Sequence, residues 1–126
     1  MTPVRVVAAL VEDGGRVLVA RRPEGTHLAG HWEFPGGKCE RGETPEEALR
    51  RELKEELDVE AVIGHEVFRT EHRYPDRLIE LRFYRCTLAG VPSPLQGQDV
   101  RWVARADLHS LTFPPADAAF IEYLTQ

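Results

Sequence analysis

Thr44-Pro45-Glu46-Glu47-Ala48-Leu49-Arg50-Arg51-Glu52-Leu53-Lys54-Glu55-Glu56-Leu57 is the stretch on which the reading of this chain turns. Thr44 is a good N-cap, Pro45 suits the first helical position, and Glu47 three residues after the cap completes a capping box. The spacing predicts a helix ending near Leu57. At 100° per residue, with Glu52 at zero, Glu55 falls at about −60° and Glu56 at about +40°, so the three carboxylates share a face. Leu49, Leu53 and Leu57 form the core stripe beside them, while Glu47, Arg50 and Lys54 face solvent. Arg51 precedes Glu55 by four residues and can brace it as an i,i+4 pair.

An acid-rich helix face is usually just solvated. Two details oppose that reading here. The carboxylate face borders the apolar stripe, so it lies toward the protein body. Like charges at i,i+3 and i,i+4 also weaken a helix unless something neutralises them. A hard divalent cation would do so. The donors on offer are oxygens, with no Cys or His at metal spacing, which favours Mg²⁺ or Mn²⁺ over zinc.

The charge pattern agrees. The chain has 126 residues and a net charge of −5. Between Glu40 and Glu60 nine acids face four bases, so that segment alone carries the imbalance. A protein that binds polymeric nucleic acid would show a basic stripe instead, so no such partner is expected. The length suits one domain covering residues 1–126, and the 42% apolar content is globular. No apolar run could span a bilayer, and no basic N-terminal region precedes a signal core, so no membrane partner and a cytoplasmic location are expected. Cys39 and Cys86 match no zinc or redox spacing and read as small buried residues.

Working outward, Val4–Val11 and Val17–Ala20 read as strands around an Asp13-Gly14-Gly15 turn. Pro23–His31 is a loop. Trp32–Phe34 is a short strand running into a bend at Pro35-Gly36-Gly37. Val59–Ile63, Val67–Tyr74, Leu78–Leu88 and Val100–Val103 are further strands, with a hairpin at Pro75-Asp76. Pro114-Pro115 opens a C-terminal helix with Ala119, Phe120, Tyr123 and Leu124 on one face. Strands on both sides of a central helix, with a helix at the end, predict an α+β sandwich with a mixed β-sheet between helices.

Gly37, Glu43 and the run Arg51-Glu52-Leu53-Lys54-Glu55-Glu56-Leu57-Asp58-Val59 resemble the Nudix box, G-x5-E-x7-R-E-U-x-E-E-x-G-U with U aliphatic. Eight of nine defined positions match, six as identities. At roughly 7% usage each, chance agreement is about 10⁻⁷ per starting position. The departure is Asp58, where the family has glycine. A residue just past a helix often needs positive φ, which Asp tolerates at about 1 kcal/mol. Trp32-Glu33-Phe34-Pro35-Gly36-Gly37-Lys38, Arg21-Arg22, Tyr74-Pro75-Asp76-Arg77 and Phe113-Pro114-Pro115-Ala116-Asp117 are similar to the MutT-type branch of that family.

The resemblance implies a Nudix-type sandwich and Mg²⁺-dependent hydrolysis of a nucleoside triphosphate to a monophosphate and pyrophosphate. Enzymes of that branch often act on oxidised nucleotides such as 8-oxo-dGTP, and one relative within it prefers CTP. The resemblance assigns Glu52, Glu55, Glu56 and the Gly36 carbonyl to the metal, with Glu52 the first choice of base. Glu43 and Arg51 would support these carboxylates. Arg22, Phe34, Arg77 and Asp117 would meet the nucleotide. Lys38 reads as solvated, and the five histidines are assigned no role. Two departures matter further. Gln96 stands where the family has a fourth acid, with Asp99 nearby. Asp117 replaces an Asn of the guanine-selective branch, and an ionised Asp only accepts hydrogen bonds. Asp117 therefore reads either as a contact to a base amino group or as a helix-dipole charge. The alternatives are a Nudix enzyme of another nucleoside diphosphate-linked substrate and a non-catalytic nucleotide-binding module. A monomer or dimer fits equally.

Overall fold

The computed structural model describes residues 2–126. Its strands are β1 (Val4–Leu10), β2 (Glu12–Asp13), β3 (Arg16–Arg21), β4 (Trp32–Glu33), β5 (Gly36–Lys38), β6 (Ala61–Tyr74), β7 (Arg77–Leu88) and β8 (Asp99–Ala104), and its helices are α1 (Pro45–Leu57) and α2 (Ala118–Leu124). One mixed sheet runs β5-β1-β7-β6, with β1 and β7 parallel and the other pairs antiparallel. In the second sheet β3 pairs with β2, β4 and β8, all antiparallel.

The apolar run in β1 is buried on both faces. Val7, Ala9 and Val11 pack with Ala48, Leu49, Leu53 and Leu57 of α1. Ala8 and Leu10 pack on the opposite side with Phe83, Phe120, Ile121 and Leu124. The sheets therefore lie between α1 and α2, the expected α+β sandwich. Burying each of the three α1 leucines contributes about 1.5–3 kcal/mol. That outweighs the few tenths of a kilocalorie lost to each like-charge pair on the helix. Packing thus fixes α1 in rotation and holds its acidic face beside the sheet.

Both ends of α1 follow the sequence. The Thr44 hydroxyl accepts from Glu47 N, and the Glu47 carboxylate accepts from Thr44 N. Asp58 adopts the left-handed conformation (φ 52°, ψ 44°) and its N–H donates to the Lys54 carbonyl. The next free carbonyls are met from a distant loop. Ser93 N donates to the Leu57 carbonyl at 2.7 Å and Leu95 N to the Glu56 carbonyl at 3.0 Å.

Several expectations need correction. The two strands expected at Val59–Ile63 and Val67–Tyr74 are one strand, β6, which begins only at Ala61 and is interrupted by bulges between Ile63 and Phe68. Gly64 there approaches the Arg85 carbonyl so closely that a Cβ would lie 2.8 Å from it. The bend at Gly36-Gly37 continues into β5, which pairs with β1. The C-terminal helix begins as a 3-10 turn at Pro115–Asp117, which rotates its apolar face. Phe120, Ile121 and Leu124 are buried, whereas Ala119 and Tyr123 are exposed. A 3-10 helix at Arg105–Ser110 carries no helical periodicity in its sequence beyond the buried Leu108. Cys86 is buried and Cys39 half-buried, and both are free thiols. No helix among the described residues is long and apolar enough to cross a membrane.

Candidate active site

A cleft of about 410 Å³ opens between the two sheets, and α1 reaches it through Glu56. One end is formed by Gly36, Gly37, Lys38, Glu56, Gln96 and Gln98. Val6, Ile79 and Leu81 supply an apolar wall from β1 and β7, and Ala116 and Asp117 line the cleft from the turn before α2.

The acidic end is built by close backbone approach. In β5, Gly37 lies against Glu52: a Cβ on residue 37 would sit 2.5 Å from the carboxylate carbon. The Gly36 N–H donates to the Glu56 carboxylate at 3.3 Å. Burial pushes the Glu56 carboxyl up to about 9, with the charges of Glu33 and Glu52 adding to the effect. Burial also raises Glu52, against the pull of Arg51. Carboxylates held together in this way favour a cation between them.

Arg51 organises the rest of the box. Its Nε and Nη2 form a fork on Glu43 at 2.7 and 2.9 Å, Nη1 donates to Glu52 at 3.0 Å, and Nη2 also reaches the Lys38 carbonyl at 3.1 Å. Nη1 also meets Glu55 at 3.2 Å, the i,i+4 pair expected from the sequence. Glu43 is a bracket, accepting additionally from Glu40 N, and Arg51 holds its carboxyl below the usual carboxylate range. The three expected ligands are thus placed differently. Glu52 and Glu56 lie at the glycine turn, while Glu55 is more exposed and rests on Arg51. Among the described residues, no three acids, histidines or cysteines are gathered as a closed metal cage. The donors at the turn are carboxylate and carbonyl oxygens with Gly37 leaving room for Glu52, a set that fits a hard divalent ion completed by substrate oxygens.

Of the expected nucleotide contacts, Arg22, Phe34, Arg77 and Asp117 all line the cleft. The Phe34 ring is 4% exposed and packs edge-on to Phe83 and Phe120, so its side chain belongs to the core as much as to the cleft. Arg22 donates to Glu33 at 3.2 Å and to the His27 carbonyl, tying the 23–31 loop to β4. Arg77 lies over the Tyr74 ring, and its buried Nε has no hydrogen-bond partner among the described residues. Asp117 is 8% exposed, stands at the N-cap of α2 and makes no side-chain capping bond to it, so both the base-contact and the helix-dipole readings keep their place. Burial raises its carboxyl to about 7, and the Glu33 charge contributes.

Glu33 was not among the expected residues. It faces the cleft between Glu56 and Asp117 in its electrostatic effects, and burial raises its own carboxyl against the pull of Arg22. Its signal in the sequence is an acid between Trp32 and Phe34 on a strand. Strand alternation in β4 turns the Trp32 side chain into the core and the Glu33 carboxylate to the cleft. Asp99 is paired with Arg101 at 2.9 Å and is not a cleft residue, so Gln96 and Gln98 supply neutral amides there.

The NUDIX domain family matches residues 6–123 of the chain. An 8-oxo-dGTP diphosphatase of Haemophilus influenzae is 37% identical over 123 residues, covering 96% of this chain and 90% of that protein. A CTP pyrophosphohydrolase of Escherichia coli is 35% identical, covering 97% and 91%. The solution structure of the E. coli ORF135 protein superposes with a TM-score of 0.86 at 35% identity, covering 97% of this chain and 88% of that one. Nudix hydrolases generally require a divalent metal ion, and the oxygen donors around Gly36, Glu52 and Glu56 accord with that requirement. With the box residues in place on α1 and relatives of this identity along nearly the full length, the chain belongs to the Nudix hydrolases of the MutT type.

Proposed function

We propose that the chain hydrolyses a nucleoside triphosphate to the monophosphate and pyrophosphate, with Mg²⁺ as the working ion and Mn²⁺ as a substitute. The observation that carries this reading is the make-up of the cleft: the half-buried Glu56 carboxylate at a glycine turn, an apolar wall and the buried Asp117. The names of the relatives support the same substrate class.

Glu52, Glu56 and the Gly36 carbonyl would hold the ion, with Glu55 joining when its carboxylate leaves Arg51. When bound, a divalent cation screens the phosphate charge and polarises the attacking water. The water oxygen joins phosphorus, one P–O–P bond breaks, and pyrophosphate departs. Arg51 donates to Oε1 of Glu52 and so orients the carboxylate that is the first choice to take the water's proton. Val6, Ile79 and Leu81 exclude water from the base. Asp117 and Glu33 would read its edge: an ionised carboxylate accepts from an amino group, and a protonated one also donates.

The test is product analysis with Mg²⁺ on canonical, 8-oxo-guanine and 5-substituted cytosine triphosphates, detecting phosphate and pyrophosphate separately. Pyrophosphate release that disappears in Glu56→Gln supports the reading, and the fastest substrate shows what Asp117 selects. Phosphate as the sole product, or no turnover on any triphosphate, overturns it.

A further inference from the structure

The segment from Ala89 to Gln98 joins β7 to β8, and it is fastened to the end of α1 from outside the helix. Besides the bonds from Ser93 N and Leu95 N, the Gln98 side chain bridges two backbones. Its Nε2 donates to the Glu56 carbonyl at 3.0 Å, and its Oε1 accepts from Gln96 N at 2.8 Å. Both polar ends of this half-buried side chain are therefore used in linking the loop to the helix. The residue it grips on α1 is Glu56, whose carboxylate lies at the glycine turn. The residue it grips on the loop is Gln96, which lines the same end of the cleft.

An amide suits that place. The cleft is already lined by the carboxylates of Glu33, Glu56 and Asp117, and a further acid would add repulsion toward a polyphosphate. A glutamine adds an N–H donor and no charge. Exposed glutamine is rotamer-rich, so its usefulness depends on the backbone being held. Gln98 provides that hold.

We propose that Gln98 is a positioning residue: it registers the loop to the backbone of Glu56, so that the Gln96 amide donates to a phosphate oxygen of the bound triphosphate. The inference rests on the function proposed above, and it concerns residues outside the Nudix box.

The test is a double-mutant cycle with Gln96→Ala, Gln98→Met and the double variant. Michaelis parameters are read for the best triphosphate, and amide hydrogen exchange is read for Gln96. Losing one such hydrogen bond corresponds to roughly 3- to 10-fold. Each single variant is expected to raise KM for the triphosphate by that factor with little change in kcat. The double variant should be no worse than the singles, because Gln98 acts through Gln96. Exchange of the Gln96 N–H should quicken about as much in Gln98→Met. Additive effects on KM, or a Gln98→Met defect in kcat and melting temperature alone, would overturn the proposal and leave Gln98 as a structural clamp. Should Gln98→Met not fold, Gln98→Glu keeps the acceptor for Gln96 N–H and removes the donor to Glu56. Wild-type KM and kcat for that variant would also overturn the proposal. If the wild type releases no pyrophosphate, the functional reading fails by itself. The exchange measurement still judges the anchor, and unchanged Gln96 exchange in Gln98→Met rejects it.

Discussion

The carboxylate of Glu52 occupies the space that a side chain on residue 37 would need. A Cβ there would lie 2.5 Å from its carbon and 2.6 Å from both oxygens. Strand β5 and helix α1 meet through this missing side chain, and that contact seats one acid at the turn. Gly37→Ala is therefore expected to displace Glu52, whose carboxylate is the flexible end of a side chain, and to leave the fold standing. A displacement near 1 Å can lower turnover by about 100-fold. Pyrophosphate release should fall by that order while the melting temperature barely moves. Gly36→Ala should differ, because its Cβ would lie 2.0 Å from the Val7 carbonyl oxygen. That backbone cannot swing aside, so thermal unfolding of Gly36→Ala should show a clear loss of stability.

Arg51 holds Glu43, Glu52 and Glu55 with one planar group. Lysine keeps the charge and loses the fork. Arg51→Lys should lower activity or metal affinity by about 10- to 100-fold, the usual scale for groups that orient metal-binding side chains. A Mg²⁺ titration of turnover checks this. Wild-type half-saturation and kcat would refute the bracing role.

The raised carboxyls make a sign-definite prediction for the metal-free protein. Asp117 is shifted up to about 7 and Glu56 to about 9, and Glu33 and Glu52 are also raised. Unfolded carboxyls release their protons near pH 4. Between that pH and the folded values the native state binds more protons, so its stability falls as pH rises. The depressed acids Glu12, Glu43, Glu47 and Glu66 are ionised in both the folded and the unfolded chain above about pH 5.5 and leave the slope unchanged there. Melting temperature in EDTA should decline from pH 5.5 to 9, and Asp117→Asn should flatten the part near neutrality. Added Mg²⁺ should raise it more at pH 8 than at 5.5, because the ion takes deprotonated ligands. A flat or rising profile in EDTA would contradict the burial described for these groups.

Asp58 sits at φ 52° where the family pattern has glycine. Its ion pair with Lys54 is exposed at 3.4 Å and contributes little. Asp58→Gly should gain about 1 kcal/mol, roughly 3–5 °C in melting temperature, with kcat unchanged. Calorimetry beside a turnover assay separates the two effects.

Much of this molecule is local and therefore legible in its sequence. The limits of α1, its capping box, its leucine stripe and the left-handed Asp58 follow from residues within two turns of one another. So does the shared acidic face of Glu52, Glu55 and Glu56, because helical geometry alone sets it. The box spacing likewise pointed to the family. Other features depend on chains meeting across the fold. Helical phase puts Glu55 with its neighbours, but only the packing of α1 on β5 brings Glu52 and Glu56 to Gly36-Gly37 and leaves Glu55 on Arg51. Glu33 enters the cleft because β4 pairs with β3 there, and Gln98 reaches Glu56 over 42 residues of sequence. The rotated face of α2 and the bulged β6 were likewise settled by packing and strand register. Periodicity describes how a segment is patterned along itself, and long-range contact decides what that pattern faces.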